Sequence, residues 1–138
     1  MARPPAQKNV LLWLCTNLTL QTDRTTTFTA YSAELAEAYE WGPYLTSIRP
    51  LTITRNRSAN FQWKPVVQWS IDGVVFVTPG VDLVASPISA NGQVIHPAMS
   101  ADTFGAPNLR FVLASANTAG TALESAAVTC GLVFTFQT

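Results

Sequence analysis

Residues 60–77 read NFQWKPVVQWSIDGVVFV, and this stretch decides the fold. Phe61, Trp63, Val67, Trp69 and Ile71 fall on odd positions, with Gln62, Lys64, Gln68 and Ser70 between them. Period-two alternation over this length, with Val66 the one apolar residue in the even set, predicts a strand with one face in a core, because successive side chains on an extended backbone point to opposite sides. On this register Trp69 is a core anchor, and Gln68, one position away, faces solvent. Asp72-Gly73 is the dipeptide favoured in a two-residue hairpin, since glycine adopts positive φ without steric cost. Val74 to Val77 then reads as the returning strand.

The same pattern recurs on both sides. Asn9 to Leu20 (NVLLWLCTNLTL) predicts a first strand, long or bent, and Thr25 to Tyr31 (TTTFTAY) a second. Ser32 to Trp41 (SAELAEAYEW) has helix-forming composition, but it lies between β-rich segments and ends at Gly42-Pro43. It is read as a strand. Leu51 and Ile53 mark a strand within Tyr44 to Arg55. Pro50 lacks a backbone donor, which predicts an edge or a bulge there. A short strand is expected at Val81 to Ser86, and another at Gln93 to His96 interrupts a loop-like region from Pro87 to Pro107. Asn108 to Ala116 (NLRFVLASA) and Ala126 to Thr138 (AAVTCGLVFTFQT) alternate clearly, and they are read as a terminal hairpin. About eight strands separated by turn signals predict an all-β fold: a two-sheet antiparallel sandwich, jelly-roll-like. Residues 1–8 carry Pro4-Pro5 and no periodicity. They are read as an extended N-terminal arm ahead of a sandwich domain at 9–138.

The chain has 138 residues, 48% apolar and only 12% charged. That is enough apolar chain for one core without metal or disulfide. The charged fraction is about half that of ordinary soluble domains. Such a surface suits a protein packed against copies of itself or a larger assembly. Eight basic and eight acidic residues cancel, which argues against nucleic acid as a partner, because that affinity grows with the number of phosphates neutralised. Arg55 and Arg57, the nearest approach to a basic cluster, read as a solvated loop. The apolar run Val10 to Leu14 is too short for a membrane span, and no signal peptide or membrane partner is expected.

Catalytic chemistry has little to work with. The single histidine, His96, precedes a proline in a loop and reads as ordinary surface. A triad or a metal site needs more partners than the chain offers. Asp72 is explained by its turn. Asp82 and Asp102 are isolated, and their spacing matches no calcium loop. Glu34, Glu37 and Glu40 read as a solvated face. Cys15 and Cys130 sit in apolar runs and read as buried small side chains; were they a disulfide, the first and last strands would be neighbours. No catalytic residue, cofactor or metal is expected. Of the four tryptophans, Trp63 and Trp69 follow the core period. Trp41, beside Gly42-Pro43-Tyr44, is a candidate exposed anchor. With Tyr44 it would serve a protein interface or, as the alternative, a sugar-stacking platform in a carbohydrate-binding module.

Ser70-Ile71-Asp72-Gly73, then Asn108 to Leu113 with its Leu-Arg-Phe, then the apolar strand Val128 to Phe136 follow one another in a familiar order. In this the chain resembles the small β-sandwich proteins encoded among bacteriophage structural genes, over roughly its last two-thirds. One departure is that the aromatic expected directly after the Asp-Gly turn is delayed to Phe76. The resemblance implies a non-enzymatic virion protein of the head-decoration, cement or fibre-base type. It would be a homo-oligomer, a trimer in many members, assembled in the host cytoplasm and docked on a major capsid or other virion protein. Arg3, Pro4 and Pro5 of the arm, with Trp41 and Tyr44, are the interface residues this reading selects.

Overall fold

The computed structural model describes residues 7–22, 29–30, 38–40, 45–78, 80–101, 108–119 and 123–137. Their strands are β1 (Gln7–Thr22), β2 (Thr29–Ala30), β3 (Ala38–Glu40), β4 (Leu45–Arg55), β5 (Phe61–Ser70), β6 (Val81–Asp82), β7 (Gly92–Ile95), β8 (Met99–Ser100), β9 (Asn108–Asn117) and β10 (Glu124–Gln137). One antiparallel sheet, sheet A, has the order β1-β10-β4-β7, with β8 also on β4. The other, sheet B, has the order β2-β9-β5-β6, with β3 also on β9. β2 and β3 share one position beside β9, and β7 and β8 share one beside β4. Eight positions result, and the chain changes sheet at every step between them except β5 to β6. This is a jelly roll, so the all-β sandwich expected from alternation is the fold observed.

The strand pairing differs from expectation in two places. β9 and β10 are not a hairpin: β9 lies between β5 and the β2/β3 pair, whereas β10 lies between β1 and β4 in the opposite sheet. Alternation identifies a strand but not its partner. Val74 to Val77 is not a strand either; β6 is the return of β5, pairing Val66 with Asp82 and Val67 with Val81. At the N-terminus β1 begins at Gln7, so Gln7 and Lys8 lie opposite Gln137 and Phe136 rather than in an arm. Within 32–41, Ala38–Glu40 is strand as read, and the remainder lies outside the described residues.

The core fills the space between the sheets. Phe61, Trp63, Val67, Leu109, Phe111 and Leu113 come from sheet B, and Leu20, Ile48, Val128, Cys130, Leu132 and Phe134 from sheet A. Phe111 and Phe134 meet edge to face across the gap, with centroids 5.7 Å apart and planes at 62°. Such a pair adds about 0.5–1.5 kcal/mol to its burial. Trp63 has no exposed surface, and its indole Nε1 donates to Thr54 Oγ1 of the facing sheet at 2.9 Å. That bond removes the penalty for burying the indole N–H. Cys15 lies opposite Cys130 in the β1–β10 register, and both are free thiols.

The alternation of β5 is right for Phe61, Trp63 and Val67 and fails at its end. Gln68 is 3% exposed, Trp69 is half-buried, and Ile71 is 84% exposed. Trp69 packs against the core from its half-buried position, as the alternation predicts, so the expectation that is corrected is that of a solvated Gln68. The cause is the segment after β5, which folds back over the strand's outer face. Gly80, at φ +102°, sits so close to β5 that a Cβ there would run into the Val67 carbonyl.

Pro50 and Pro65 explain where the edges break. Pro50 O accepts from His96 N, and Pro65 O accepts from Leu83 N. In antiparallel strands a residue's N and O point to the same side, so each missing donor faces the edge. On that side β7 stops at Ile95 and β8 starts at Met99, and the other edge holds only the two residues of β6.

Candidate assembly surface

The turn after β5 is built around one carboxylate oxygen. Asp72 Oδ1 accepts from Val74 N at 2.9 Å, Val75 N at 3.0 Å and Ser70 Oγ at 2.8 Å. Ser70 Oγ in turn accepts from Gly73 N at 3.0 Å. Gly73, at φ +77°, supplies the left-handed conformation that the bend requires. The backbone donors of Val75 and Val74, and then the Ser70 hydroxyl, pull the Asp72 carboxyl down to about 2. Val77 N donates to Trp69 O at 2.9 Å and closes the loop, while Asn108 Nδ2 donates to Ile71 O at 3.2 Å. Behind it the Arg110 guanidinium lies 4.2 Å from the Phe76 ring centre, and Arg110 Nε donates to Gln68 Oε1 at 2.6 Å.

The backbone donors of the turn are thus satisfied within it, and the aliphatic side chains are left outside with the exposed Asp72 carboxylate between them. Ile71, Val74 and Val75 are 84%, 79% and 73% exposed. One exposed aliphatic residue is ordinary; three in one fixed turn form an exposed apolar patch.

A second apolar surface lies on the outer face of sheet A. The registers place Trp13 opposite Gly131, Gly131 opposite Leu51, and Leu51 opposite Ile95. Residues paired this way share a face, so one row crosses all four strands with no charge in it. Trp13 and Ile95 are 48% and 65% exposed, with Leu11 at 50% beside them. The Trp13 ring lies across Gly131, where an added Cβ would be 2.9 Å from it. Next to this row β1 slips register between Trp13 and Leu18, and Asn17 takes φ +50°. Asn17 N donates to Thr129 Oγ1 at 2.9 Å. The irregularity opens a groove of about 430 Å³ lined by Trp13, Thr16, Asn17, Ile53, Arg55 and Thr129.

Neither surface is legible in the sequence. Alternation puts Ile71 on the core face, and Trp13 lies in an apolar run with nothing to mark a bulge. The interface residues selected from the sequence, Arg3, Pro4, Pro5, Trp41 and Tyr44, lie outside the described residues. His96 is not ordinary surface: its Nε2 is 2.8 Å from Thr52 Oγ1, and partial burial holds its imidazole below its ordinary value. Asp82 is not isolated in a loop but sits in β6, 3.0 Å from Lys64 Nζ. Burial pushes the Cys130 thiol well up, with Cys15 beside it adding to the effect, and burial also raises Cys15. Among the described residues no three His, Cys, Asp or Glu side chains gather as metal ligands would.

No family model matches the chain. No curated protein matches it either. Solved structures do. The VP2 subviral particle of infectious bursal disease virus superimposes with a TM-score of 0.61 at 6% identity, over 95% of this chain and 33% of that one. The Gx strain of the same virus gives 0.55 at 7% identity, over 96% and 32%. T=1 particles derived from that virus give 0.56 at 7% identity, over 95% and 32%. The chain spans about a third of the length of these viral chains, and what it shares with them is the jelly-roll fold.

Proposed function

We propose that this protein is a non-enzymatic structural component of a virus particle, a jelly roll that packs with copies of itself and with other particle proteins. The observation that carries the reading is the match of nearly the whole chain to particle chains. The low charge and the outward apolar surfaces support it, because both favour contact between subunits. In finer detail it is a decoration or cement protein of a bacteriophage head or tail. It forms a trimer that docks on a major capsid or other virion protein and is found in the virion. The arm before β1, with Arg3, Pro4 and Pro5, is its tether, and Trp41 and Tyr44 belong to the docking surface.

Light scattering on the purified protein over a concentration series tests this. A trimer at micromolar concentration is expected. A monomer up to the highest concentration would overturn the assembly reading.

A further inference from the structure

The two apolar surfaces have opposite shapes. The loop at Ile71 to Val77 projects, with three side chains more than 70% exposed. The groove beside Trp13 is recessed, about 430 Å³. We infer that the loop of one copy seats in this groove of a second copy, a head-to-tail contact. The inference rests on the self-assembly reading above and names its surface.

Three observations select the second copy as the occupant. The loop is held from within by the bonds to Asp72, Trp69 O and Asn108, so docking it costs little ordering entropy. Charge is complementary: Asp72 carries an ionised carboxylate between Ile71 and Val74, and exposed Arg55 stands at the groove. The groove also offers apolar surface to the apolar loop, through Trp13 and Ile53, with Thr16, Asn17 and Thr129 as its polar lining. A lipid surface fits less well. Ile71 to Val77 contains an acid and no Lys or Arg, whereas segments that lie in membrane interfaces are rich in basic residues. Because the two patches differ, the contact is heterologous, and repetition of it produces a closed ring or an open chain.

The test uses three variants of the full chain. Val75→Cys and Ile53→Cys place thiols on the loop and in the groove, on separate preparations. Under oxidation the mixture should give a dimer containing one of each, at a yield well above either preparation alone. The third variant, Ile71→Ser/Val75→Ser, should weaken self-association at least about tenfold, which corresponds to ~1.4 kcal/mol, with its fold verified by circular dichroism. If this variant associates as well as the unmodified protein, or if crosslinks form chiefly between two Val75→Cys copies, the loop-in-groove contact is overturned while self-assembly stands. If the unmodified protein is monomeric throughout, both fall. Sedimentation with vesicles of phosphatidylcholine and phosphatidylglycerol that depends on Ile71 and Val75, without self-association, would replace the second copy by lipid.

Discussion

Trp63 is the residue on which both sheets depend. It fills the centre of the core and holds Thr54 of the opposite sheet by its indole nitrogen. Trp63→Ala should cost about 3–5 kcal/mol in denaturant unfolding. Trp63→Phe keeps most of the apolar volume but leaves the Thr54 hydroxyl without that donor, and should cost about 1–3 kcal/mol. An unchanged midpoint for both would contradict this placement. Asp72 sets a different dependence. Its carboxyl is held at about 2 against an ordinary 3.8, so the turn is favoured above the ordinary value and that contribution is lost as pH falls toward the lowered one. Amide exchange at Val74 and Val75 should be steady from neutral pH down to about 4, after allowing for intrinsic exchange, and protection should fall below it. Asp72→Ala should remove the step. Trp63 was legible because its position agrees with the period of its whole strand. Gln68 and Ile71 were not, because what buries one and exposes the other is the segment that folds back after Ser70, and no local pattern encodes that.

Strands were the legible element, and their partners were not. β5, β9 and β10 alternate, so each declares itself a strand. Whether two such strands pair or face one another depends on long-range packing, which is why the terminal hairpin resolved into strands of opposite sheets. Pro50 was informative because a missing donor is a local fact with a positional consequence, and it faces the gap between β7 and β8. Asp72-Gly73 signalled a turn, but the Asp side chain gathers three donors and makes a longer loop in place of a two-residue hairpin. The bulges of β1 left no mark in the sequence beyond Asn17, and the groove they open was missed with them. Gly131 explains how Trp13 lies flat on this face. Gly131→Ala would force the ring away from its position 2.9 Å from the new Cβ, and should cost about 1–3 kcal/mol as an overpacking change. In a double-mutant cycle Trp13→Ala should remove most of that cost, since the clash has only one partner within 3 Å. Additive effects of the two changes would show that the ring and Gly131 are not in contact.

At the scale of the molecule, composition and period reached the fold class, and the superposition on viral particle chains agrees with it at the level of the fold. The candidate surface was less accessible, because an assembly patch needs no catalytic residue type and no fixed spacing; it needs apolar side chains whose backbone has turned them outward. Low charge pointed to contact with copies without saying where. The structure supplies two places, the Ile71 to Val77 loop and the outer face of sheet A, and the central claim is that this jelly roll is a building block that uses them. Hydrogen exchange measured on the same protein when dilute and when concentrated tests that claim most directly. Exchange at Ile71 to Val77 and around Trp13 should slow on concentration, while the buried strands β5 and β10 stay unchanged. Identical exchange at both concentrations, in a sample that light scattering reports as monomeric, would contradict it.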